Sequence, residues 1–472
     1  MNEAKLYYTI KSLETNEISR LKKSLNDKFV ANNSASIKLI TAIILEKHLT
    51  AQDWNKQFIH TLIYPNLKYN DLRIRHLLSN SCKILEHFII SLKTNENKIL
   101  LNEQLADFYL STGSIKYAEQ YIHESILSII HKPKNSSAYQ RLFELESKLY
   151  DIQLKNSRKT DNHILNMANN LSIYLIIETL KTACYIASNN VIIDEKTDFP
   201  VIKPIYQLAQ EEIYYDIPQI KIYATLYRLL LNWTPKEFKK ILPFIKKNEF
   251  LFKNDELYNI YKLLLNFCIK EANTNSHEFT KITFELYLYA IGKKYLLSYG
   301  QLNRFTLSNV IAIGLKLKDI KRAEDFLKAN YRFIDKNFKL MTYNYNMAKI
   351  LYAKNENQKS LKLLLSTEFK DALWYLNAKF ITLKIFLDMD DMVRFNQYLK
   401  AFKMYIIRKQ HIGYHKQYFS GVANAFKILL KIRKNSLKYQ SYSFDLETPD
   451  RVWFQNKAME YVNQIKTKKQ HP

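Results

Sequence analysis

The sequence predicts an all-α protein: an N-terminal helical module, then an irregular solenoid of antiparallel helix pairs wound as a right-handed superhelix. Three observations predict it. Glycine occurs 6 times and proline 9 times in 472 residues, far below average usage for glycine. Leu, Ile, Tyr and Phe recur at helical spacing through most of the chain. In the second half one pattern repeats, with Ile311, Ala348 and Leu383 at equivalent places 37 and 35 residues apart.

The scarcity of glycine also narrows the chemistry. Nucleotide-binding loops, tight β-hairpins and strand-to-helix nucleophile turns use glycine for backbone angles that other residues resist, and this chain has little to build them with. There is no P-loop and no GxGxxG. Cys82, Cys184 and Cys268 lie far apart, without a CxxC pair or metal-type spacing, so a reducing compartment is expected. The start lacks the basic, apolar and small-residue segments of a secretory signal. Ile37–Leu45 and Leu171–Leu180 are the greasiest runs, and both are too short to cross a bilayer. The expectation is a cytoplasmic protein without an integral membrane segment.

Residues 1–94 read as the N-terminal module. A break at Leu13–Glu17 precedes a helix to about Asp27, and Ser34 or Ser36 can cap another to about His48. Thr50 can cap a helix carrying Trp54, Phe58 and Leu62, which Pro65 ends. Asp71 can cap one with Ile74, Leu77, Leu78, Cys82, Leu85 and Phe88 on one face. Arg73, Arg75 and His76 stand at its start, the place a helix-turn-helix reader would use, but no tight glycine-containing turn joins it to a preceding short helix.

From about Leu100 helix pairs begin. Leu105, Ala106, Tyr109, Gly113, Ala118 and Ile122 follow the small/large pattern of a tetratricopeptide-type hairpin, in which a small residue on each helix lets the two approach closely. The same spacing returns at Ile311, Gly314, Ala323 and Leu327, at Ala348, Leu351, Ser360 and Leu364, and at Leu383, Phe386, Phe395 and Leu399. Residues 95–300 read as an irregular helical-repeat region, 301–440 as tetratricopeptide-like (TPR-like) helix pairs and 441–472 as a C-terminal helix and tail. Breaks are expected at Asn156–Asn162, Asn189–Pro204, Asp216–Pro218 and Ala272–Ser276. Thr234-Pro235 reads as an N-cap followed by proline at the first helical position.

Several stretches together carry a resemblance: Leu21–Asn33, Phe58–Pro65, Leu72–Ser79, Leu265–Ile269, Phe369-Lys370-Asp371, Phe395–Arg408 and Tyr414–Leu429. On these the chain resembles a family of uncharacterised, fully helical, tetratricopeptide-like proteins common in Bacteroidota. The resemblance covers nearly the whole chain and implies the fold. Its motifs are packing patterns, so it implies no activity, ligand or catalytic residue.

No catalytic, cofactor or metal site is expected. His123-Glu124 and His277-Glu278 begin a zinc-protease motif but lack its second histidine, and His411 and His415 have Gly413 between them and no third ligand. Glu211-Glu212 and Asp390-Asp391 are sequence neighbours, which a helix points about 100° apart. What stands out is charge. Formal net charge is +26, and between Met392 and Phe444 there are eleven Lys or Arg and no Asp or Glu. Beside the apolar stripe Phe395, Leu399, Phe402 and Ile406 lie Arg394, Lys400, Lys403, Arg408 and Lys409. Beside the seam Val422, Phe426 and Leu429 lie Lys427, Lys431, Lys434 and Lys438. A lysine-rich composition would produce solvated faces of this kind without any partner, but an exposed face ordinarily mixes signs.

If repeat geometry holds, Tyr345, Lys349 and Tyr352 face the concave side and form a peptide groove. The expected function is a non-catalytic scaffold or adaptor for a protein or peptide, with the basic C-terminal faces steering acidic partners. The alternative is a nucleic-acid-associated protein using the same faces. A third option is a DNA-contacting regulator, which requires Arg73 and Arg75 to be exposed on a protruding helix.

Overall fold

The computed structural model describes residues 2–25, 34–46, 48–156, 163–190, 197–232, 234–274, 276–408, 415–434, 444 and 450–470. These are all-α apart from one two-stranded hairpin. The chain divides into two compact units, residues 1–183 with 198–224, and residues 184–197 with 225–472.

The first unit begins with α1 (Asn2–Ser12), α2 (Thr15–Ser24), α3 (Ser34–Leu45), α4 (Lys56–Ile63) and the long α5 (Asp71–Glu96). Leu6, Leu21, Leu39, Ile40, Trp54 and Ile74 close one core between them. Two caps differ from the sequence reading. Asn55, not Thr50, caps α4, accepting from the Phe58 amide at 3.0 Å. Thr50 instead donates its N–H and its hydroxyl to Asp53, each at 2.7 Å, and Trp54 precedes the helix. Asn70, not Asp71, caps α5, because its backbone has the extended angles an N-cap needs (φ −140°, ψ 110°). Asp71 then opens the helix and pairs with Lys56 at 2.8 Å and Arg75 at 2.6 Å.

Next come α6 (Lys98–Ser111), α7 (Ile115–Ile130), α8 (Ser136–Asn156) and α9 (His163–Asn190), then α10 (Ile202–Leu208), α11 (Glu212–Tyr215) and α12 (Pro218–Asn232). Ala106, Ile122, Leu142, Leu145 and Leu149 form a second core. At 28 residues, α9 is long and apolar enough, by length and composition, to cross a membrane. Polar Asn, Ser, Glu and Lys punctuate it, so no uninterrupted apolar run marks it in the sequence. Its Ile176, Ile177 and Leu180 are fully buried.

The second unit runs through α13 (Pro235–Lys247), α14 (Asn254–Asn273), α15 (His277–Gly292), α16 (Arg304–Lys316), α17 (Ile320–Asn330), α18 (Lys339–Ala353), α19 (Asn357–Ser366), α20 (Ala372–Asp388), α21 (Met392–Arg408), α22 (His415–Lys434) and α23 (Arg451–Gln470). Thr234 caps α13 with Pro235 at the first helical position, as expected. The Glu249 carboxylate accepts hydroxyls from Tyr261, Tyr289 (3.0 Å) and Tyr295 (2.9 Å), tying the end of α13 to α14 and α15. Between α15 and α16, Leu297–Ser298 pairs with Gln301–Leu302. Tyr299 and Gly300 make its turn with φ of 49° and 74°, the left-handed pair a two-residue hairpin requires. One of the six glycines thus serves a β-turn that the composition argued against.

From α14 to α23 every helix packs on the next, and α16, α18, α20 and α22 also pack in file. The hairpins α6–α7, α16–α17, α18–α19 and α20–α21 share one turn. Gly113, Lys318, Asn355 and Asp390 each have φ between 57° and 76°. In each hairpin the following amide reaches back to the carbonyl five residues earlier: Ser114 to Tyr109, Asp319 to Gly314, Glu356 to Leu351, Asp391 to Phe386, at 2.8–2.9 Å. This is the Schellman closure of a helix end. Seven residues before each left-handed residue stand Ala106, Ile311, Ala348 and Leu383; five after stand Ala118, Ala323, Ser360 and Phe395. All eight are fully buried. Gly314 has no room for a β-carbon, which would lie 3.0 Å from that of Ala323, and the Ser360 hydroxyl donates to the Ala348 carbonyl at 2.7 Å. The turn also accounts for Asp390-Asp391: one is the left-handed residue, and the other caps α21 through the Arg394 amide at 3.0 Å.

Candidate binding cleft

In the second unit a cleft of about 590 Å³ opens along α16, α18, α20 and α22. Its walls are aromatic: Phe305 from α16, Tyr345 from α18, Trp374 from α20, Tyr418 and Phe419 from α22. The Trp374 ring meets Tyr345 edge-on at 4.8 Å and Phe305 at 5.8 Å, distances at which aromatic pairs attract. Asn309, Asn377 and His415 add polar edges. Arg304 buttresses one rim, its guanidinium 4.1 Å from the Phe338 ring and 2.9 Å from Asp371.

Two groups in the cleft are left with unspent polarity. Trp374 is 3% exposed, yet among the described residues its indole Nε1 has no hydrogen-bond partner. Half-buried Lys349 stands over the Tyr345 ring at 5.6 Å, and among the described residues no carboxylate pairs with it. Burial pushes its ammonium down to about 8; nearby Lys384 pushes the same way, and Asp450 opposes them. A desolvated cation without a counter-ion costs free energy that an incoming anion would recover.

Of the three groove residues expected from the sequence, Tyr345 and Lys349 line this cleft and Tyr352 does not. The Tyr352 hydroxyl donates to Asp388 at 2.6 Å and accepts from Trp453 Nε1 of α23 at 3.1 Å. Phe305, Trp374, Asn377 and Tyr418 were missed because each reads as a core or solvent position on its own helix. Register could have found some of the lining: Tyr345 and Lys349 flank Ala348 at −3 and +1, and the same offsets from Ile311 give Ser308 and Ala312, both in the wall.

The basic C-terminal residues lie elsewhere on α21 and α22. Lys400, Arg408, Lys427, Lys431 and Lys434 are exposed, and Lys403 is half-buried. The two helices do bring their charges together, since the Lys403 ammonium is lowered first by burial and then by Lys427. Arg394 pairs with Asp391 and covers the Phe386 ring at 5.0 Å, so it serves the hairpin turn. Lys409, Lys438, His411 and Gly413 lie outside the described residues. At the other end of the chain, Arg73 is half-buried against Tyr64, its guanidinium 5.6 Å from the ring, and Arg75 is held by Asp71. Of the two arginines that a DNA-reading α5 requires, Arg75 is exposed and Arg73 is packed on Tyr64. Searched against known protein families and against curated proteins, the chain matches none.

Proposed function

We propose that this chain is a non-catalytic scaffold or adaptor whose second unit is a tetratricopeptide-like solenoid binding a peptide segment of a partner protein in the cleft along α16, α18, α20 and α22. The observation that carries this reading is the cleft's composition. Aromatic walls from alternate helices surround one ammonium that forms no ion pair with a carboxylate among the described residues, a surface suited to an extended segment with apolar and acidic side chains. The shared hairpin turn and its buried twelve-residue pairs support the solenoid.

Selection of a random peptide library on the full chain tests the proposal. Peptides should be enriched on the wild type and lost on Trp374→Ala, but retained on a triple Lys427, Lys431 and Lys434 to Glu variant. Enrichment indifferent to Trp374, or no enrichment, would remove the cleft from the account. A second reading rests on the exposed lysines of α21 and α22, in a run from Met392 to Phe444 without Asp or Glu, which suit a phosphate backbone. In that case mixed-sequence single-stranded DNA should bind with affinity falling log-linearly in salt, and the triple variant should abolish it.

A further inference from the structure

The repeat places two lysines at one structural position: Lys349 follows Ala348, and Lys384 follows Leu383. Their surroundings differ in one respect. Lys384 is buried and already has an occupant, supplied by the chain itself. Asp450, just before α23, forms an ion pair with its ammonium. Trp453, three residues on, lies 4.6 Å beneath that ammonium and donates its indole N–H to Tyr352. The next residue, Phe454, stacks at 6.2 Å on Phe380, which holds the place in α20 that Tyr345 holds in α18. One end of the row of first helices is thus filled by an acid and aromatics in i, i+3 spacing. At Lys349 the described residues leave a cleft, with the Tyr345 and Trp374 rings beside the ammonium, and Asp450, which acts on it too, is paired with Lys384.

We propose that the cleft at Lys349 receives a partner segment of the pattern acid–x–x–aromatic, the pattern that Asp450 and Trp453 present to Lys384 within the chain. The partner's carboxylate would pair with the Lys349 ammonium. Its aromatic ring would fill the space between Trp374 and Tyr418. This rests on the peptide-binding reading above and names the chemistry of the peptide. The occupant is another protein's segment; the copy of the pattern at Asp450 and Trp453 is bound at Lys384.

The probe is a fluorescein-labelled nonapeptide, Asp-Arg-Val-Trp-Phe-Gln-Asn-Lys-Ala, which repeats residues 450–458, measured by anisotropy on the full chain. The wild type should bind it. Asn for Asp in the peptide, or Lys349→Met in the protein, should each weaken binding about tenfold or more, as losing a charge-assisted bond does. Lys349→Arg should stay within about threefold of the wild type, and Ala for Trp in the peptide should also weaken binding. Circular dichroism checks that each protein variant folds, and the peptide variants test the pairing without altering the protein. Binding that follows Lys384→Met but not Lys349→Met would mean that the probe displaces α23, which overturns the assignment. So would indifference to the peptide's acid. If the library yields peptides that depend on Trp374 but carry no acid–x–x–aromatic pattern, this inference fails and the peptide-binding reading stands. If it yields none, both fail.

Discussion

Lys349 joins the repeat to the cleft, and its protonation gives a test that needs no ligand. In the unfolded chain its ammonium titrates near 10.5, in the folded chain near 8. Below about pH 8 both states hold the proton, and the folded state bears the whole desolvation penalty. Between 8 and 10.5 the unfolded chain binds more protons, so stability rises with pH. Lys349→Met keeps the apolar stem and deletes the charge. It should therefore stabilise the protein at pH 7 by on the order of 2 kcal/mol, allowing for partial solvent access. That advantage should shrink steadily from pH 8 to 10.5 in paired thermal melts, and a constant difference would show that the ammonium is already well solvated. The residue was legible in the sequence because register alone placed Tyr345 and Lys349 on the inward face. Tyr352 has the same periodicity, but α23 covers it, and no local pattern announces a contact one hundred and one residues away. Trp374 was hidden for a different reason: a tryptophan in an apolar run reads as core, and only the positions of α16 and α22 turn one side of it into a wall.

At the scale of the element, the repeated turn explains how so few glycines suffice. Each hairpin needs one left-handed residue, and after Gly113 the chain uses Lys318, Asn355 and Asp390. A β-carbon in that conformation costs roughly 1 kcal/mol, less for Asn and Asp. Lys318→Gly should thus raise stability by up to about 1 kcal/mol, and Asn355→Gly by a few tenths, the relief of strain being partly offset by glycine's greater freedom in the unfolded chain. Chemical denaturation with an unchanged m-value would confirm this; a loss of stability in Lys318→Gly would mean that its side chain contributes more than its backbone costs. The helix pairs were readable because Ala106–Ala118, Ile311–Ala323, Ala348–Ser360 and Leu383–Phe395 keep a spacing of twelve. Caps were not readable to the residue. Thr50 and Asn55, or Asn70 and Asp71, all carry capping side chains, and the choice falls to backbone angles that the surrounding packing sets. The Tyr299-Gly300 turn escaped because two paired residues on each side are too short a strand to show alternation.

At the scale of the molecule, composition excluded sheet architectures far better than it chose among helical ones. A lysine-rich balance of +26 left the partner open; the proposal chooses a peptide because Lys349 stands in an aromatic cleft, away from the exposed lysines of α21 and α22. Within the second unit, each hairpin from α16 onward touches chiefly its neighbours. Stability in such an array is close to a sum of local terms and nearest-neighbour interfaces, and a lesion should therefore fade with distance along the file. Phe386 is fully buried in α20, its ring 5.1 Å from Tyr398. Phe386→Ala should cost about 3–5 kcal/mol through transfer and cavity terms together. Native-state hydrogen exchange is expected to register that cost in α18 to α23, with the largest loss of protection in α20 and α21 and a much smaller one in α14 and α15. Equal loss in every helix of the unit would mean that it unfolds as one block. In that case Lys349 and Lys384 could not be occupied independently, because filling either place would stabilise the other through the shared fold.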